Sequence, residues 1–176
     1  MTDIFVTGNA EDKEHEQLIK KHLAESYTIT YINQNRFRKI GSGYNLIVFE
    51  SENPNINTNG SVLLMKKNGI IPSTVPMDIT AIINADNEEQ LKSVQSIGVK
   101  AITCGTCDTS TVSFSSETDE TIVISLNRSI TALSGKIIQP LEIPAEKGGA
   151  DRYSLMSYMA LRLILDDYNS DLGKLI

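Results

Sequence analysis

Two cysteines in 176 residues are too few for a disulfide framework. A reducing, cytoplasmic compartment is therefore expected. No apolar run approaches the roughly 20 residues that a bilayer-crossing helix needs, so no membrane partner is expected. Met1 is followed by Thr2 and Asp3, not by a basic stretch and an apolar core, so no secretory signal is expected either. Positive charge is also short. Lys and Arg number 16 against 22 Asp and Glu, for a net charge of -6. Nucleic acids and anionic membranes are bound by clustered cations, and this balance argues against both. No complete catalytic motif, internal repeat, low-complexity tract or domain linker is present. At this length, with 40% hydrophobic residues, the chain is expected to fold as one domain around its own core.

What is present reads as alternating strands and helices. Ile4 to Thr7 is a short apolar strand closed by Gly8. Leu18, Ile19, His22 and Leu23 recur at helical spacing, which predicts a helix over Glu11 to Ser26 with acidic residues in its first turn. On that helix His22 is expected to be packed and His15 solvated. Tyr27 to Ile32 and Asn45 to Glu50 read as strands, with a basic loop, Asn35 to Gly43, between them. Asn53 to Gly60 and Pro72 to Pro76 are loops. Ser61 to Lys67 is apolar with a basic end. The most informative stretch is Ala81 to Ser116. There a strand (Thr80 to Ala85) leads through an acidic turn into an amphipathic helix, Glu88 to Ile97, with Leu91, Val94 and Ile97 inward and Gly98 as its C-terminal cap. A strand from Ala101 to Cys104 follows. This is a βαβ unit, so parallel strands are expected. Thr111 to Ser116, Thr121 to Leu126 and Lys136 to Ile143 lie close together and predict an antiparallel ribbon. After Gly148-Gly149, Asp151 caps a final helix, Arg152 to Asp167. That helix is apolar nearly all round and is expected to lie deep against the sheet. Asp166 and Asp167 at its C-terminus oppose the helix dipole, which implies a nearby cation.

In this order the pieces resemble the central, ATP-binding domain of the Mur ligases and their folate-ligase relatives. Val6-Thr7-Gly8-Asn9 is similar to the start of that family's strand-to-P-loop turn, and Ile47-Val48-Phe49-Glu50-Ser51 to the strand whose terminal Glu helps hold magnesium. Asn84-Ala85-Asp86-Asn87 resembles the family's N-A-D-D segment, Ile102-Thr103-Cys104-Gly105 the strand after it, and the closing Gly-rich turn and apolar helix the family's last motif. The resemblance covers nearly the whole chain. It implies a Rossmann-like, three-layer α/β fold with a mainly parallel sheet and a small antiparallel ribbon near the C-terminal third.

The departures bear on function. A P-loop needs glycines that let backbone N–H groups approach phosphate, then Lys and Ser/Thr. This chain has Gly8-Asn9-Ala10-Glu11-Asp12-Lys13-Glu14, with two carboxylates where phosphates would lie and no Ser/Thr after Lys13. The family's metal-binding His has no counterpart near Asp86, and Asp151-Arg152 stands where His-Asn is expected. No segment matches the family's substrate and C-terminal domains. The resemblance then implies a scaffold that has lost ATP binding through a degenerate P-loop. Such a scaffold would work as a non-catalytic binding or assembly module through a protein partner or a homo-oligomer, with no cofactor.

Other side chains leave alternatives open. Carboxyl-terminal strand ends are where open α/β sheets bind ligands. Gly8, Asn9, Lys13, Glu50, Asn84, Asp86, Asn87, Cys104 and Thr106 are expected to gather there as a candidate cleft. One alternative is an enzyme using Glu50 and Asp86 as metal or acid–base groups. Another is a redox protein using Cys104 and Cys107, although the CxxC is followed by turn and strand residues rather than by a helix whose N-terminus would activate a thiol. A structural zinc would need both cysteines and both histidines. His15 and His22 lie about 10 Å apart along one helix, so no metal is expected. The basic loop with Arg36, Arg38 and Lys39 reads as solvated or as anion-binding.

Overall fold

The computed structural model describes residues 2–34, 36–146 and 149–168, so Gly148 of the Gly-rich turn lies outside the described residues. In chain order the elements are β1 (Thr2–Thr7), α1 (Glu14–His22), β2 (Tyr27–Asn33), β3 (Arg36–Ile40), β4 (Tyr44–Ser51), β5 (Val62–Met65), β6 (Thr80–Asn84), α2 (Glu88–Ile97), β7 (Lys100–Cys104), β8 (Val112–Glu117), β9 (Thr121–Leu126), β10 (Ile130–Thr131), β11 (Ile137–Ile138), β12 (Leu141–Glu146) and α3 (Arg152–Ile164). Ten strands form one sheet, ordered β12-β9-β8-β7-β6-β5-β1-β4-β2-β3, and β10 and β11 form a separate ribbon. The run from β2 through β4, β1, β5, β6 and β7 to β8 is parallel, and the edges beyond it are antiparallel. This is the expected α/β fold with a mainly parallel sheet.

Three differences from the sequence-based expectation have physical causes. The basic segment expected to be a loop is strand β3, which returns antiparallel along β2. Its residues are exposed on both faces, so no apolar alternation marks it. The segment 136–143 is not one strand. Ile137–Ile138 pairs with β10, while Leu141–Glu146 joins the main sheet beside β9. Helix α1 starts at Glu14 and ends at His22, where a 3-10 turn over Leu23–Glu25 takes over, so Glu11 and Asp12 lie in the loop before the helix.

Helices α1 and α3 cover one sheet face, where Ile4, Val6, Ile82, Ile102 and Val112 meet Leu18, Ile19 and the apolar residues of α3. Helix α2 covers the other face, but only over the middle strands, where Val94 packs with Leu63, Met65, Ala81 and Ile83. Residues Tyr153 to Ile164 of α3 are all buried, as its sequence required. The two aspartates after it meet cations: Asp166 pairs with Lys136 at 2.9 Å and Asp167 with Arg162 at 3.3 Å. No helix among the described residues is long and apolar enough to cross a membrane.

The Asp151 side chain accepts hydrogen bonds from the backbone N–H groups of Tyr153 at 2.9 Å and Ser154 at 3.4 Å, capping α3 as expected. Asp151→Ala is expected to lower stability by about 1 kcal/mol, read as a lower urea midpoint with an unchanged slope.

Candidate functional site at the strand ends

The strand order changes direction at β1, which lies between β4 and β5. In open α/β sheets a ligand crevice forms outside the carboxyl ends of the strands at such a switch point. Here the parallel register sets Glu50 beside Val6, and Lys66 directly follows Met65, the partner of Thr7. The loop from Gly8 to Lys13 closes over these ends.

Lys66 fills that loop. Only 1% of it is exposed. Its Nζ donates to the carbonyl of Asn9 at 2.7 Å, to the carbonyl of Asp12 at 2.6 Å and to Glu50 Oε1 at 2.6 Å. Its stem packs against Gly8, which has φ +134°; a Cβ there would lie 2.7 Å from the Cβ of Lys66. A phosphate-binding loop turns successive N–H groups inward, onto an anion. This loop turns two carbonyls inward, onto an ammonium. The expected carboxylates are not what fills the space: Glu11 is exposed, and Asp12 Oδ1 accepts from the Glu14 N–H at 3.1 Å.

Glu50 is saturated. Its Oε2 accepts from the Tyr31 hydroxyl at 2.6 Å and from Asn33 Nδ2 at 2.8 Å, and Lys13 Nζ approaches Oε1 to 3.7 Å. Burial, together with the neighbouring carboxylate of Glu50, holds the Tyr31 phenol protonated, far above the usual tyrosine range. A buried carboxylate with this many donors is stable only while all of them stay in place.

Gln90 holds the turn after Lys66. It is buried, and its Nε2 donates to the carbonyls of Lys66 at 3.0 Å and Gly69 at 2.8 Å, while its Oε1 accepts the Asn84 N–H at 2.8 Å.

The remaining candidates form a second, separate cleft of about 450 Å³, lined by Lys67, Asn84, Asp86, Thr106, Arg152 and Tyr153 among others. Asp86 accepts from the Thr106 N–H at 3.2 Å and from its hydroxyl at 3.2 Å. Arg152 is bonded to Glu117 at 2.7 Å and lies over the Phe114 ring. Asn87 caps α2, and its Nδ2 reaches the Lys67 carbonyl at 3.4 Å. Gly8, Asn9, Lys13 and Glu50 are therefore brought together around Lys66, and Asn84, Asp86 and Thr106 around the cleft. Glu50 does not line the cleft of Asp86; it borders a different groove with Phe5, Phe49 and Pro54.

Cys104 lies wholly inside the core, where burial pushes its thiol pKa up, and it does not line the cleft. Cys107 is exposed, and a hydrogen bond from the Thr109 hydroxyl at 3.2 Å pulls its thiol pKa down. The element that follows the pair is strand β8, not a helix. Among the described residues no cluster of three His, Cys, Asp or Glu could hold a metal ion.

His15 corrects an expectation: it is fully buried, and His22 is the half-buried one. His15 Nε2 lies 2.8 Å from the Ser157 hydroxyl, which itself donates to the Tyr153 carbonyl at 2.8 Å. The histidine is therefore the donor, through Nε2–H. Its Nδ1 is buried with no partner. Burial pushes its pKa down to about 4.

Among solved structures, the chain is similar to UDP-N-acetylmuramoyl-L-alanyl-D-glutamate--2,6-diaminopimelate ligase, with a TM-score of 0.52 and 11% identity over 97% of this chain. The fold is Mur-ligase-like. At that identity the likeness is one of fold alone, and the chain spans only 44% of the ligase's length. No protein-family model matches the chain, and no curated protein matches it in sequence.

Proposed function

We propose that this Mur-ligase-like domain does not bind ATP at its first loop and serves as a binding or assembly module. The Lys66 ammonium carries this reading. The lysine stem occupies the interior of the loop, and its charge is shared among Glu50 and two loop carbonyls. A triphosphate would have to expel the side chain, strand a buried carboxylate and reverse the sense of the loop's backbone dipoles. Each step costs several kcal/mol by the usual penalties for buried charge. The electrostatic opposition thus comes from inward carbonyls and lost space rather than from the acidic residues of the loop.

A calorimetric titration with Mg-ATP tests this. No heat of binding is expected with millimolar nucleotide. Saturable binding with a micromolar Kd would overturn the reading and return the domain to the nucleotide enzymes.

A further inference from the structure

The strand that the sequence disguises as a loop has an unusual edge. β3 pairs with β2 alone, so its outer N–H and C=O groups are unpaired in the sheet. Arg36, Arg38 and Ile40 pair with Asn33, Tyr31 and Ile29, and so stand on the face that carries α1 and α3. Phe37 and Lys39 pair with Ile32 and Thr30, and stand on the opposite face. Phe37 is 68% exposed. Arg36, Arg38 and Lys39 place three of the chain's 16 cations within four positions on a protein of net charge -6. None of the three is ion-paired with another described residue.

We infer that β3 is a docking edge for an extended segment of another protein, one that alternates acidic and apolar residues. This deepens the reading of the chain as a binding module and rests on it. A strand added beside β3 would place acidic side chains against Arg36 and Arg38 on one face and an apolar side chain against Phe37 on the other. Main-chain hydrogen bonds would supply affinity, and the side-chain pairs register.

A second copy fits this edge poorly. An antiparallel self-pair centred on Arg38 would set Arg38 against its own counterpart, and like charges directly opposite destabilise a ladder. The far edge of the sheet, β12, has the complementary charge in Glu142 and Glu146. It also contains Pro144 opposite Val123, and proline removes a donor from that outer edge. The charge and the unblocked backbone of β3 therefore select a partner of different sequence.

The test uses a fluorescent peptide of Glu-Val repeats, with a Lys-Val repeat as its control, and the intact protein. Anisotropy is expected to show saturable, salt-sensitive binding of the acidic peptide only, with slowed amide exchange over 36–40. The double variant Arg36→Glu/Arg38→Glu is expected to weaken that binding by about tenfold or more and to gain binding of the Lys-Val peptide. That exchange of preference separates recognition from loss of fold. No binding of the acidic peptide, or equal binding by the variant, overturns the proposal. So does protection of 36–40 that rises with protein concentration alone, which would assign the edge to self-association. The Mg-ATP titration reports on the Lys66 loop and not on this edge. Failure here beside a silent nucleotide titration leaves the closed-loop reading intact.

Discussion

Replacing Lys66 with methionine is expected to cost about 3–5 kcal/mol of stability, the usual penalty for removing one partner of a buried ion pair. The variant keeps most of the apolar stem, so packing against Gly8 is largely preserved. What it loses is the charge. Glu50 would stay buried with only Tyr31, Asn33 and the more distant Lys13, and the carbonyls of Asn9 and Asp12 would lose their donor. Against a typical total stability of about 5–15 kcal/mol, this is a large fraction. Urea unfolding of the variant measures it. Glu50→Gln in the same background should recover part of the loss. The two changes are expected to couple by roughly 1–3 kcal/mol, because the uncompensated carboxylate goes with the second substitution. Strict additivity of the two would mean that the pair does not interact as described.

The second large effect is a dependence on acid. Burial lowers the His15 pKa to about 4 in the folded protein, from an ordinary value of 6.5. Between those values the unfolded chain binds more protons than the native one, so stability rises with pH. The stabilisation is complete above about pH 6.5, falls as pH drops, and is lost once pH passes below about 4. The difference corresponds to about 3 kcal/mol. His22, also lowered by burial, adds a smaller contribution of the same sign. The structural cause at His15 is the Nδ1 atom, where a proton would arrive in a buried place with no acceptor. His15→Gln retains a donor for Ser157 and does not titrate. Melting temperatures of the two proteins across pH 4 to 7 should diverge, with the variant much the flatter.

Much of the architecture is legible in local chemistry. Asn87, the periodicity of Leu91 and Val94, and Gly98 in the left-handed region fix α2 at both ends. Asp151 and the unbroken apolar run after it fix α3 and its burial. The site is legible only in half. Asn9, Lys13 and Glu50 are placed at one edge by strand order alone, but the residue that organises them carries no local mark. Lys66 follows an apolar strand and precedes another lysine, and such a pair ordinarily marks a strand leaving the core. Burial of one lysine of the two follows from long-range pairing of β5 with β1, which no local pattern encodes. A usable signal does exist for His15. It stands three and four residues before Leu18 and Ile19, on the same helical stripe, and only the usual preference of histidine for the wet side of a helix conceals it. β3 is hidden because an edge strand exposed on both faces has no alternation to read.

The two halves of the strand-end edge also differ in character. Around Lys66 the charged atoms are matched inside the protein, and Glu50 also borders a groove of about 620 Å³ with Phe5, Phe49 and Pro54. Around Asp86 and Arg152 the polar groups are matched in pairs but line an open cleft. The sheet's third polar feature, β3, is paired on one side only, and its three cations are ion-paired with no other described residue. On the reading proposed above, binding is expected at the edge of the sheet rather than at the Lys66 loop.

The Lys66 ammonium group can be observed directly. In a spectrum selective for lysine side-chain nitrogen, Lys66 is expected to give an NH3⁺ signal protected from water exchange at neutral pH, assigned by its loss in Lys66→Met. That signal should neither move nor broaden when millimolar Mg-ATP is added. A Lys66 signal exchanging as fast as those of surface lysines, or one displaced by the nucleotide, would contradict the account.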